Sequence, residues 1–165
     1  MIFDTHAHYD DEAFDDDREK LLERMQNRGV EYIVNVGASM SSCKSTIGLV
    51  RRFPYVYGAL GVHPDEVSEL TEEDYQWLKK SIYKPKIVAV GEIGLDYHWN
   101  DNKEQQIEWF EKQMDIAREA GVSKATVSRV INSSGAVSQK TKERVMEIIN
   151  ANKFSPSATA RNLSM

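Results

Sequence analysis

Four short apolar runs constrain this chain more than any other feature: Ile2-Phe3, Val30 to Val36, Val56 to Val62 and Ile87 to Ile93. Their starts lie about 26–31 residues apart, too far for β-hairpins and right for parallel strands joined by crossover helices. The stretches between them carry helical patterns. Asp15, Asp16 and Asp17 are expected in a first turn, where the helix dipole favours acids, with Leu21, Leu22 and Met25 on the apolar face and Gly29 as the stop. Thr71 with Asp74 makes a capping-box start for a third helix. A fourth is predicted from about Asn102, with Ile107, Phe110, Met114 and Ala117 on one face. The fold class that follows is α/β, four successive βα units over residues 1–121. A closed barrel of eight such units needs about 250 residues, so the segment is expected to supply half of a TIM-type barrel. An unclosed half exposes strand edges and the apolar face meant for the remainder.

The polar chemistry gathers at the ends of these strands. In Asp4-Thr5-His6-Ala7-His8 the two histidines stand two apart, a spacing that puts both on one side of a strand and suits a divalent metal. Gly61-Val62-His63-Pro64-Asp65 follows the third run, and Gly91-Glu92-Ile93-Gly94-Leu95-Asp96-Tyr97 follows the fourth. Each taken alone also fits an ordinary loop. Three His/acid clusters at three strand C-termini fit an active site, because that is where βα folds place one.

Charge divides the chain. Residues 1–121 hold 14 Lys+Arg against 24 Asp+Glu, whereas residues 122–165 hold 7 against 2. All four His, all three Trp and all seven Tyr precede residue 122. The reversal suggests two segments with different partners, the basic one suited to a polyanion. No apolar run approaches the roughly 18 residues of a membrane helix, and the first residues do not read as a signal peptide. A membrane partner is therefore not expected. The single cysteine, Cys43, excludes a disulfide framework and makes a cytoplasmic location the expectation.

The motifs Met1-Ile2-Phe3-Asp4-Thr5-His6-Ala7-His8, Gly61-Val62-His63-Pro64 and Val90-Gly91-Glu92-Ile93-Gly94-Leu95-Asp96-Tyr97 closely resemble those of TatD-type metal-dependent deoxyribonucleases. The resemblance spans about residues 1–121. It implies His6 and His8 as metal ligands, Glu92 as a catalytic, metal-bridging carboxylate and His63 as a catalytic residue on the substrate side. The implied cofactor is a divalent metal, Mg2+ or Zn2+, and the implied reaction is attack of activated water on a phosphodiester. That family draws two further His and an Asp from later strands. After Gly121 this chain has no His and only Glu143 and Glu147 as acids, so a weak, incomplete metal site is expected.

In the basic segment, Ala117, Gly121 and Val127 have the spacing of a helix-turn-helix, with Ser123 and Ser138 as helix caps. Asp115 through Asn132, continuing through Val137-Ser138 and Arg144-Val145 to Ser155 through Leu163, looks like the DNA-binding headpiece and hinge of LacI-type transcription regulators. The resemblance places Lys124, Ala125 and Arg129 toward base edges. It places Ser123, Thr126, Ser128 and Asn132 toward phosphates, and Leu163 at a minor-groove wedge. Lys124 and Arg129 also fit a solvated helix face. On this reading residues 114–165 form a small all-α domain whose partner is DNA and which needs dimerisation for specific operator binding.

The two resemblances overlap on one helix, residues 115–121. Three functions follow from the sequence. The first is DNA binding through the helix-turn-helix, fused to an incomplete hydrolase. The alternative is a divalent-metal-dependent deoxyribonuclease, and the third is a chimera with no selected function.

Overall fold

The computed structural model describes residues 2–98 and 102–120. The predicted helix-turn-helix and its hinge, with Ser123, Lys124, Ala125, Thr126, Ser128, Arg129, Asn132 and Leu163, lie outside the described residues.

The element order is β1 (Ile2–Ala7), α1 (Arg18–Met25), β2 (Val30–Val36), α2 (Met40–Arg52), β3 (Val56–Leu60), α3 (Glu72–Ser81), β4 (Ile87–Val90) and α4 (Lys103–Ala120). The strands form one parallel sheet in the order β1-β2-β3-β4. This is the α/β arrangement that the 26–31-residue spacing predicts, because each crossover returns the chain beside the strand it left. No helix among the described residues is long and apolar enough to cross a membrane.

Local signals set several element ends. Ser39 caps α2 by accepting from the Ser42 N–H at 3.1 Å. Thr71 and Asp74 form the expected reciprocal capping box, with bonds of 3.0 and 3.2 Å. Gly29 ends the turn after α1 at φ +89°, a conformation that favours glycine. Two expectations are corrected. Asp15, Asp16 and Asp17 stand before α1 rather than in its first turn, which carries Glu19 instead. The buried face of α4 is Gln106, Trp109, Phe110, Gln113 and Ile116; of the expected stripe Phe110 is buried, whereas Ile107, Met114 and Ala117 are half-buried. Two glutamines are buried there because loop backbone groups satisfy both their amides.

The core lies between the sheet and its helices. Cys43, Thr46, Ile47 and Val50 of α2 recur at helical spacing and are buried, as are Ile33 and Val56 of the sheet. The other face of the sheet is exposed in part, although Val36 and Ala59 on it are buried. Phe3 and Tyr32, paired in register, are 56% and 43% exposed and meet edge to face at 5.8 Å. Tyr57 continues this aromatic row at 6.0 Å from Tyr32, and Val88 is exposed beside buried Ile87.

Candidate metal centre

Parallel strands bring the C-terminal ends of β1, β3 and β4 to one rim, and the three motifs meet there. On β1 the pairing slips between Asp4, opposite Ile33, and Ala7, opposite Asn35. Three steps along β1 thus match two along β2, a bulge that re-aims the intervening side chains. His6 sits in that bulge and His8 just past the strand end. The Nε2 atoms of His6 and His8 lie 3.1 Å apart, so the rings converge as the two-residue spacing predicts, although through a bulge rather than a regular pleat.

Glu92 completes the group. Its Oε2 lies 3.8 Å from Nε2 of both histidines, and one ligand atom from each of the three falls within 4.8 Å of the others. The backbone fixes the carboxylate from behind. Glu92 N–H donates to the Gly37 carbonyl at 2.7 Å, and Gly91 N–H to the Leu60 carbonyl at 3.0 Å. Gly61 permits this approach, since a Cβ there would lie 2.7 Å from the Gly91 carbonyl carbon. His8 is fixed too. Its Nδ1 lies 2.9 Å from the Val36 carbonyl oxygen, which only accepts, so Nδ1 carries the proton and the neutral ring keeps its Nε2 lone pair for a cation.

Buried polar groups brace the segment after His8. Asn35 is fully buried. It accepts from the Tyr9 N–H at 2.7 Å and donates to Asp10 Oδ1 at 2.7 Å and Thr46 Oγ1 at 2.8 Å. Asp10 also accepts from Ser42 Oγ at 2.5 Å. Burial raises the Tyr9 phenol above its usual range, with Asp4 adding to the effect. Burial likewise pushes the Cys43 thiol, which donates to the Gly61 carbonyl at 3.1 Å, up to about 12.

His63 stands at the same rim but outside the metal-sized cluster. Its N–H donates to the Ala38 carbonyl at 2.8 Å, and its Nδ1 accepts from the Asp65 N–H at 3.3 Å. The Asp65 carboxylate Oδ2 lies 3.5 Å from the same Nδ1. Sequence reasoning thus named the three converging side chains, but missed Asn35 and the two buried α4 glutamines. The seven-residue interval between Gln106 and Gln113 was the available signal, overridden by the apolar residues beside them.

A family model for TatD-related DNases matches residues 3–157. The uncharacterized metal-dependent hydrolase YabD of Bacillus subtilis is 39% identical over 123 residues, covering 74% of this chain and 48% of that protein. The 3'-5' ssDNA/RNA exonuclease TatD of Erwinia tasmaniensis is 32% identical over 120 residues, covering 72% of this chain and 46% of that protein. The crystal structure of YjjV, a TatD homolog from Escherichia coli, matches with a TM-score of 0.69 over 88% of this chain and 64% of that one. At 23% identity it is similar in fold. The chain spans about half the length of the curated relatives it matches.

Proposed function

From the premise that the chain belongs to the TatD-related DNase family, we propose that the described rim is the metal-holding part of a phosphodiester hydrolase acting on single-stranded nucleic acid. The single observation that carries this reading is the convergence of His6, His8 and Glu92 on one point. The substrate class follows the description of the Erwinia relative. This reverses the order of functions drawn from sequence, because the family match covers most of the segment read as a LacI-type headpiece.

The donor set fits a divalent cation. Two imidazole nitrogens and one carboxylate suit zinc or another transition ion better than magnesium, which prefers oxygen ligands. A bound ion would polarise a phosphate and lower the pKa of a coordinated water. The chain's own residues do the rest. His8, with its proton committed to Val36, presents Nε2. His6 supplies the second nitrogen, and Glu92 the negative charge. His63, with Nδ1 beside the Asp65 N–H and carboxylate, would present Nε2 toward a phosphate oxygen. Three ligands would leave coordination positions for water and substrate, and would hold an ion weakly.

The test is a titration of the full chain with Zn2+ and Mn2+, followed by cleavage of a single-stranded DNA oligonucleotide. One ion should bind, and the double substitution His6→Ala, His8→Ala should abolish binding while leaving the thermal transition in place. Undiminished binding by that variant would refute the assignment.

One observation favours a second reading. Residues 122–165 carry 7 Lys+Arg against 2 Asp+Glu, and we propose that they contact DNA through this charge. Affinity should then fall with salt at a log–log slope of about −0.9 per phosphate contacted. A salt-independent gel shift, or none, would remove this reading.

A further inference from the structure

Helix α4 carries two glutamines, Gln106 and Gln113, that are 0% and 1% exposed. Seven residues apart, they stand two turns apart on one face. Each makes a two-point pairing with the backbone of one motif loop. Gln113 accepts from the Val62 N–H at 2.7 Å and donates to the Val62 carbonyl at 3.1 Å. Gln106 accepts from the Asp96 N–H at 2.9 Å and donates to the Asp96 carbonyl at 2.7 Å and to Asn102 Oδ1 at 2.8 Å. Val62 directly precedes His63, and Asp96 ends the short segment that follows Glu92. An apolar side chain would fill either volume but leave without this partner the buried N–H and carbonyl of Val62, or the half-buried ones of Asp96. A primary amide offers donor and acceptor side by side and so satisfies both.

We propose that Gln113 and Gln106 are positioning residues: Gln113 holds Val62 so that His63 faces the substrate, and Gln106 holds the loop after Glu92 so that its carboxylate stays over His6 and His8. The roles of His63 and Glu92 rest on the hydrolase reading; the two clamps do not. On this account α4 is a rack whose two-turn interval sets the spacing of two loops at the rim. A purely structural pair would protect the fold without separating metal binding from substrate binding.

The experiment uses the full chain with Gln113→Met and Gln106→Met, which keep volume and remove the amide. Amide exchange at Val62 and Asp96 and the His63 imidazole signals are followed by NMR. Affinities are measured for Mn2+ alone and for a single-stranded DNA oligonucleotide with Mn2+. Gln113→Met should speed Val62 exchange, shift the His63 signals and weaken oligonucleotide binding about tenfold, with Mn2+ affinity held within about twofold. Gln106→Met should speed Asp96 exchange and weaken Mn2+ binding about tenfold, leaving the His63 signals in place. Parallel losses of both affinities in both variants, or unchanged His63 signals in Gln113→Met, would overturn the proposal. Should a variant not fold, the wild-type chain decides: Val62 and Asp96 amides should exchange as slowly as those of β2, and rapid exchange would overturn it. Absence of Mn2+ binding in the wild type, with the Val62 and His63 responses intact, would sink the hydrolase reading and leave the clamps standing.

Discussion

The two faces of the sheet are built to different standards. On the helix-covered face Ile33, Asn35, Val56 and Leu60 are buried, and even the polar members are satisfied: Asn35 makes three hydrogen bonds there. On the opposite face Phe3 and Tyr32 stand 56% and 43% exposed, and their aromatic row touches itself edge to face. The difference follows from how βα units bury surface. Each crossover brings its own helix, so one face closes locally, strand by strand. The other closes only against strands distant in the chain. The rim site sits at the C-terminal end of this sheet, where the His8 ring is hydrogen-bonded to the Val36 carbonyl and the Glu92 backbone to the Gly37 carbonyl.

That contrast can be tested by perturbing one face at a time. The largest effect is expected from Asn35→Ala. It removes partners from the buried Tyr9 N–H, Asp10 and Thr46 and should cost about 3 kcal/mol. Urea unfolding measures this, and a loss below about 1 kcal/mol would mean the network is slack. The Asp10 brace should loosen as well, weakening metal binding at His6 and His8.

A second effect concerns Cys43, also on the closed face. Burial pushes its thiol up to about 12, so it should resist a thiol-reactive disulfide reagent near pH 8 in the folded protein and react on denaturation. The sign for stability follows. An acid whose folded pKa is raised contributes fully below its unfolded pKa, about 8.5, and that contribution is lost as pH rises toward about 12. Stability should therefore decline through the alkaline range, and less so in Cys43→Ala. An identical decline in both proteins would assign the effect to other groups.

The smallest change in stability is expected on the open face. Tyr32→Ser removes an exposed ring and should move the unfolding free energy by less than about 0.5 kcal/mol. The same substitution should lower binding of a hydrophobic dye, because it interrupts the Phe3–Tyr32–Tyr57 row. A stability loss as large as that of Asn35→Ala would show that the open face is covered in solution.

Much of this was legible in the residues. The four apolar runs, their spacing and the Thr71–Asp74 box specify parallel strands and a helix start, because periodicity and capping are local properties. The motifs ending β1, β3 and β4 named His6, His8, His63 and Glu92, since βα topology places strand C-termini together. The runs overshot β3 and β4 at their C-terminal ends. Val62 and Ile93 are buried, yet they lie in rim loops beyond Leu60 and Val90. Apolarity reports burial, not pairing.

What only tertiary structure decided has one physical source, the partner distant in sequence. Apolar periodicity placed Ile107 and Met114 on the inner face of α4, but burying a glutamine is governed by whether its amide is satisfied. Gln113 finds both its partners 51 residues away at Val62. Asn35 is likewise bound to Tyr9, 26 residues earlier. The His6 bulge depends on the register between β1 and β2, which a single strand does not encode. Among the described residues, the sequence by itself determined the four parallel strands and the motifs whose side chains reach the rim. The packing of loops against α4 and of β1 against β2 decided how those side chains are held, because buried hydrogen bonds are made between segments that meet only after folding.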